Sequence, residues 1–87
     1  MPPRDPRLRP DLERALPADS PGSDPGWRDG LNLPWLFLFG DGEWHRVSVR
    51  AWWTDRHGRR VVQIEWHADG STWEESYLVR LERMREA

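Results

Sequence analysis

Apolar and polar residues alternate along most of the chain between residues 44 and 79. Three runs rich in β-branched and aromatic side chains, WHRVSVRAWW, RVVQIEWHA and TWEESYLV, are separated by the breaks TDRHGR and DGS. Alternation with a period of two is typical of strands that bury one face, and the Asp and Gly residues in the breaks favour turns. We therefore expect an antiparallel meander.

The apolar faces of the first two runs predict how these strands pair. With a turn at residues 55–58, the two apolar faces coincide in one register, and a slip by one residue would turn every apolar side chain to the wrong face. The opposed residues are then Val47 and Trp66, Val49 and Ile64, and Ala51 and Val62. In this register Trp53 points into the core and its neighbour Trp52 lies on the outer face.

The second and third runs are joined by Asp69-Gly70, a strong signal for a two-residue hairpin turn. The expected pairs are Trp66 with Trp73, Ile64 with Glu75, and Val62 with Tyr77. Glu75 thereby falls on the core side, where an unpaired carboxylate would cost several kcal/mol. We expect an Arg partner, an open edge or a bulge at Glu75, and a functional carboxylate is the remaining interpretation.

The apolar residues 35–39, WLFLF, are ended by Gly-Asp-Gly and read as a strand that is buried on both faces. In so small a protein, burial on both faces requires either that the sheet curls over, as it does in a small barrel, or that another segment packs across it. Leu81 and Met84 follow at helical spacing and predict a short helical turn that plugs one end of this barrel.

All eight prolines lie at or before Pro34. Because proline disfavours helix interiors and ladder hydrogen bonds, residues 1–34 are predicted to be a proline-rich, largely irregular arm, and residues 35–87 to be the domain. Leu8, Leu12 and Leu16 recur every four residues after a proline-led start. This spacing predicts either a short docking helix or a disordered tail with accidental leucines.

Composition narrows the class of protein further. The 87 residues include seven Trp and no Cys, and the net charge is −2. A single small domain is expected, with large side chains in place of disulfides or thiolate metal sites. No apolar run approaches the ~20 residues that span a bilayer, and MPPRDPRLRPD lacks an apolar signal segment. We therefore expect a cytoplasmic protein without a membrane partner.

Catalytic chemistry is not indicated. The three histidines fall on different faces or in a turn, Ser48 and His67 share a flat surface, and no phosphate-binding loop is present. A barrel of this size also has little room for a concave pocket. We predict that the chain is not an enzyme and that it has no metal or other cofactor.

Two candidate binding surfaces follow from the predicted register. The first is an apolar patch beside two cations on the outer face, and it comprises Trp52, Val61, Leu78, Arg50 and Arg46. Such a patch would contact a protein or peptide partner unless the arm or the tail covers it. Glu65 and Glu74 oppose each other on this face, and they repel each other unless Arg46 and Arg50 lie diagonally between them.

The second candidate is the basic hairpin tip, which would contact nucleic acid through Arg56, His57, Arg59 and Arg60. Binding through phosphates would fall steeply with salt, whereas binding through an apolar patch would not. Extended edge strands also allow two copies to pair as a homodimer.

The run GEWHRVSVRAWWTDRHGRRVVQIEWHADGSTWEESYLV, followed by LERM, resembles the small SH3-like barrels, including the Tudor and chromo-barrel modules. The resemblance covers about residues 35–84 and implies binding of peptides, methylated side chains or nucleic acid, without catalytic residues. The pattern W-W-x-D-x-x-G-R, beginning at Trp52, is also similar to that of small actinobacterial proteins. The use of Arg without Lys fits a GC-rich coding sequence of that kind.

The expectation is thus a mostly β, SH3-like barrel made from a curled antiparallel meander, with a proline-rich arm and a short C-terminal helical turn. Its expected function is that of a non-catalytic binding module or adaptor, which engages a protein through the outer patch or the arm. The alternative is a nucleic-acid-binding accessory protein that uses the Arg-rich hairpin.

Overall fold

A computed structural model describes residues 3–16 and 28–87. Most of them form one antiparallel sheet of five strands: β1 Arg28–Leu38, β2 Trp44–Thr54, β3 Arg60–Ala68, β4 Ser71–Leu78 and β5 Met84–Glu86. The strand order is β4-β3-β2-β1-β5. The predicted mostly β meander is confirmed, and the predicted C-terminal helical turn is a 3₁₀ turn at Leu81–Arg83. The expectation of irregular chain at residues 17–27 lies outside the described ranges.

The helical segments found in the described ranges are two three-residue turns, Pro6–Leu8 and Leu81–Arg83. No helix in residues 3–16 or 28–87 is long and apolar enough to cross a bilayer.

The hairpin between β3 and β4 has the predicted register. Trp66 lies opposite Trp73, Ile64 opposite Glu75, and Val62 opposite Tyr77. Asp69 and Gly70 both have positive φ, at 53° and 71°, as a tight two-residue turn that matches the twist of its strands requires. The indole of Trp73 donates a hydrogen bond of 2.8 Å to the carbonyl of Ala68 and fastens the turn.

The hairpin between β2 and β3 follows the predicted register only as far as Val49 and Ile64. Beyond them the register shifts by one residue at Arg50, so Ala51 lies opposite Gln63 and Trp52 opposite Val62. An extra residue in one strand is a β-bulge, and it reverses the faces of the residues that follow. The predicted pairing of Ala51 with Val62 is therefore wrong.

The bulge gives the sheet two apolar clusters. Trp52 packs against the main core, whereas Ala51, Trp53 and Val61 form a second cluster. The main core consists of Phe37, Phe39, Val47, Val49, Val62, Ile64, Trp66, Tyr77 and Met84. The prediction that Trp52 shares an outer patch with Val61 and Leu78 is wrong, because Trp52 lies on the opposite side of the sheet from them.

Strand β1 begins at Arg28, earlier than the predicted start at Trp35, and continues through Pro34. The carbonyl of Leu38 and the N–H of Gly40 form hydrogen bonds with the arm. The backbone groups of every second residue point to the same side of a strand, so those of Pro34 point to the side of Leu38 and Gly40. The missing N–H of Pro34 therefore falls on the side away from β2, at the sheet edge, where proline is tolerated.

The backbone of the arm forms hydrogen bonds with the outer strand β4 and with the end of β1. At the β1 side, Gly40 N donates to Arg9 O at 3.1 Å and Asp11 N donates to Leu38 O at 2.8 Å. At the β4 side, Ala15 N donates to Ser76 O and Leu78 N donates to Glu13 O, both at 2.9 Å. These bonds close the open sheet across the end of the core. The predicted docking helix is wrong, because residues 9–16 contain no helical turn and pair with the sheet through two isolated bridges.

Side-chain contacts also hold the arm against the sheet. The indole of Trp66 donates a hydrogen bond of 3.0 Å to the carbonyl of Leu8, and Leu12 packs against the main core. Arg14 lies 3.2 Å from the carboxylate of Glu75, whose side chain is only 15% exposed. The Arg partner expected for Glu75 is thus supplied by the arm.

Removal of residues 1–16 should destabilise the domain strongly. Four backbone hydrogen bonds to β1 and β4 would be lost, at about 1 kcal/mol each, together with the burial of Leu12. We expect thermal unfolding, followed by Trp fluorescence, to shift down by many degrees. The control Glu13→Gln, which changes an exposed side chain, should leave it in place. A truncated protein that melts with the full chain would contradict this account of the arm.

Tyr77→Phe should leave stability unchanged or raise it by about 1 kcal/mol. Tyr77 is 2% exposed, and its hydroxyl finds no hydrogen-bond partner among the described residues. Burial, assisted by the nearby Glu75 carboxylate, raises the pKa of this phenol, so it stays neutral. Urea unfolding measures the difference. A loss of stability above about 1 kcal/mol would mean that the hydroxyl is hydrogen-bonded after all.

Candidate peptide-binding groove

Two indoles meet at the surface because of the bulge in β2. Trp52, turned towards the main core, lies against Trp35 of β1, with ring centroids 5.3 Å apart and planes inclined at 67°. This is the edge-to-face arrangement that aromatic rings prefer. Both rings are only partly buried. They therefore support the core with one side and present apolar atoms to the surface with the other.

A groove with a volume of about 330 Å³ opens beside these rings. We call it the aromatic groove, and its walls are formed by Trp35, Trp52, Arg60, Val79 and Leu81. Val79 N donates a hydrogen bond of 3.0 Å to Arg60 O, which ties the residue after β4 to the start of β3. Leu81 opens the C-terminal 3₁₀ turn and is 70% exposed. The lining residues that the structure describes are thus mostly apolar, and Arg60 is the cation among them.

The hairpin tip is organised around a buried carboxylate. The side chain of Asp55 is fully buried and accepts hydrogen bonds from the backbone N–H groups of His57 and Arg59, each at 2.8 Å. The guanidinium of Arg59 donates a third at 3.0 Å. Burial alone would raise the pKa of Asp55, but these bonds outweigh it and hold the pKa below its usual range. Gly58, at φ 80°, completes the turn.

The four residues predicted to contact nucleic acid have different environments. Arg59 is bound to Asp55, Arg60 lines the aromatic groove, and Arg56 and His57 are exposed in the turn. All four side chains are exposed at this tip, and the charge of Arg59 is balanced by the buried Asp55.

The apolar residues of the predicted outer patch do not form one exposed surface. Val61 is fully buried, and Ala15 of the arm packs against its cluster together with Leu78. The arm thus covers this cluster. Coverage by the arm was the predicted alternative to an exposed partner site.

The cations of the outer patch have polar surroundings. Arg50 lies 2.9 Å from the Glu65 carboxylate and 3.9 Å from that of Glu74, between the two like charges, as predicted. A second pocket, of about 350 Å³, opens where the β2–β3 ladder ends, and it is lined by Arg46, Val47, Ser48, Glu65, Trp66 and His67. Its rim carries both signs of charge.

The histidines lie apart. His45 Nε2 is 2.7 Å from the Asp41 carboxylate and its ring lies on Phe39, while His67 Nδ1 is 2.9 Å from the Thr72 hydroxyl. Among the side chains that the structure describes, in residues 3–16 and 33–87, no three from His, Cys, Asp or Glu are grouped so that they could hold a metal ion.

Sequence reasoning missed Trp35, Val79 and Leu81 as parts of a surface site. The signal that could have found them is a pair of doublets, Trp52-Trp53 and Val61-Val62, which break the strict alternation of β2 and β3. Adjacent apolar residues in facing strands indicate that both faces are apolar at that point. Trp52 then has an inward-facing alternative next to Trp35.

Comparisons of the chain with protein-family models, with curated proteins and with solved structures give no match.

The stabilising effect of Asp55 should depend on pH. Because its pKa is lower in the folded than in the unfolded protein, its contribution is present above the unfolded pKa of about 3.9 and is lost as the pH falls through the folded pKa. Asp55→Asn should therefore melt several degrees below wild type at neutral pH, with the gap closing in acid. Melting curves measured across the acid range test this, and a pH-independent gap would contradict it.

Proposed function

We propose that this chain is a non-catalytic protein-binding module whose aromatic groove holds an apolar side chain of a peptide. The observation that carries the proposal is the partly exposed pair of indoles, with ring centroids 5.3 Å apart, beside a 70% exposed Leu81. Ligand sites are concave, mostly apolar and supplied with a few polar groups, at volumes from about 300 Å³ upwards. The groove, at about 330 Å³, meets that description at the small end.

A binding role is favoured over catalysis by the residues that line the groove. The lining residues that the structure describes include no nucleophile, carboxylate or imidazole, and these are the groups that proton transfer and covalent catalysis require. A chain without cysteine needs no oxidising compartment, which agrees with action in the cytoplasm.

The groove is a better partner site than the arm. Residues 9–15 already bond both sides of the sheet, so a partner that engaged them would have to displace those bonds. A peptide in the groove would only displace water from apolar atoms, which is favourable. Pro34 lies at the open edge of β1 and discourages strand addition there, so contacts through side chains are expected.

Nucleic acid remains the alternative partner. It would be contacted by Arg56, His57 and Arg60, since Arg59 is bound to the buried Asp55. A net charge of −2 provides no long-range attraction to phosphates. This balance supports the peptide proposal.

Leu81→Glu should weaken peptide binding at least about tenfold, which corresponds to a loss of about 1.4 kcal/mol in binding free energy. The reason is that a charged side chain replaces an apolar one in the wall of the groove. The probes are fluorescent peptides selected from a random-sequence display library on the wild-type protein, and fluorescence anisotropy measures their binding. The matched control is Leu16→Glu, which changes a leucine of similar exposure, 65%, outside the groove. Equal binding by Leu81→Glu and wild type would place the peptide elsewhere.

Labelled random single-stranded oligonucleotides serve as the competing probe. If the proposal holds, they bind weakly or not at all. Tight binding that falls steeply with salt and is reduced by Arg56→Gln would overturn it in favour of nucleic acid.

A further inference from the structure

The sheet holds the arm in the way that a binding cleft holds a separate peptide. The backbone of the arm bonds the end of β1 and the outer strand β4 through hydrogen bonds of 2.8–3.1 Å. Leu12 packs against the main core, and the carboxylate of Asp11 lies 3.4 Å from the guanidinium of Arg83. Main-chain bonds to a strand, combined with places for alternate side chains, are how sheets recognise extended peptides. The two strands thus form a cleft, and the arm is the peptide in it.

Two polar groups of this cleft have their partners in the arm. The indole of Trp66, which is 2% exposed, donates a hydrogen bond of 3.0 Å to the carbonyl of Leu8. The carboxylate of Glu75, 15% exposed, lies 3.2 Å from Arg14. Either group would lose this partner if the arm left, and a buried polar group that loses a partner is costly. The cleft therefore favours the filled over the empty state.

The arm also has contacts of its own. Its 3₁₀ turn Pro6–Leu8 is capped by Asp5, whose carboxylate accepts a hydrogen bond of 3.0 Å from the N–H of Arg7. The guanidinium of Arg9 donates a hydrogen bond of 3.3 Å to the carbonyl of Pro3. These contacts lie within the arm and stay with it wherever it binds. The arm can thus leave one cleft and enter an identical one with the same local structure.

We infer that two copies of this chain exchange their arms and form a dimer in which each cleft holds the arm of the other copy. Every contact between arm and sheet is then made between chains instead of within one, so these contacts favour neither form. The balance depends on the effective concentration of the arm at its own cleft, which residues 17–27 determine as the connection between the arm and β1. For short linkers this concentration is on the order of millimolar, so the dimer is expected at millimolar protein.

The first experiment refolds the full-length wild-type protein from urea, because an arm must leave its own cleft before it can enter another. One sample is refolded at about 1 mM and the other at about 10 µM, above and below the range in which exchange should compete. Size-exclusion chromatography with light scattering then measures the mass of the particles. We expect dimer in the concentrated sample and monomer in the dilute one.

Two charge reversals identify the surface that the dimer uses. Arg14→Glu places two carboxylates together in the cleft, and Glu75→Arg places two guanidinium groups together, so neither variant alone has a favourable pair. When the two variants are refolded as a mixture, arm exchange restores opposite charges in both clefts of a heterodimer. We expect this heterodimer at a protein concentration at least about tenfold below that needed for the wild-type dimer, and native mass spectrometry identifies it.

The matched control is a mixture of Arg50→Glu and Glu65→Arg. These side chains lie 2.9 Å apart, but both belong to the sheet, so exchange of the arms does not bring them together and no heterodimer is expected. A second control carries Arg14→Glu and Glu75→Arg in one chain. It restores the pair within the monomer and should behave as the wild type does.

Three outcomes would overturn the inference. The first is a wild-type protein that stays monomeric after refolding at about 1 mM. The second is a wild-type dimer without a heterodimer in the mixture of Arg14→Glu and Glu75→Arg, since the dimer would then use another surface. The third is a mixture that stays unfolded, by circular dichroism, because exchange should restore the pair. The proposed function would stand in each case, since the described residues that line the aromatic groove lie outside the arm.

Discussion

The faces to which Trp52 and Trp53 point depend on a single extra residue in β2. Before Arg50, the alternation of β2 places Val47 and Val49 in the main core, and after it the faces are exchanged. Trp52 therefore turns towards Trp35, while Trp53 joins the second cluster. Without the bulge, Trp52 would lie on the other face and the groove would lose one of its two rings. The local irregularity creates the surface on which the proposed function depends.

The arm provides a constraint of a different kind. A small domain without cysteine cannot use a disulfide to hold its chain together, and an open sheet leaves unpaired edges. Here the backbone of residues 9–15 bonds the end of β1 and the outer edge of β4, and Trp66 bonds the carbonyl of Leu8. These contacts join residues that are far apart in sequence. The arm therefore connects β1 with β4 through hydrogen bonds, and it is part of the folded domain.

Turn chemistry and alternation were enough to predict the β3–β4 hairpin, because Asp69-Gly70 specifies the turn and hence the register. The bulge was missed because no glycine marks it, and the groove was missed with it. The pairing of the arm was hidden by its prolines. The backbone groups of the arm that bond to the sheet belong to alternate residues, namely Arg9, Asp11, Glu13 and Ala15. Pro10, which has no N–H to donate, lies between two of them. Composition does not predict which residues of the arm form these bonds, because that choice depends on where the strands of the sheet lie.

Charge pairing also bears on where a partner binds. On the outer face Arg50 lies between Glu65 and Glu74, and at the hairpin tip Arg59 is bound to Asp55. A partner that met either surface would have to compete with contacts already made within the chain. At the aromatic groove the balance is reversed, because Leu81 and the two indoles expose apolar atoms to water and Arg60 has no carboxylate nearby among the described residues. Single exposed apolar side chains are common on protein surfaces. Their combination with a concave shape and an unpaired cation is what favours this groove as the binding site.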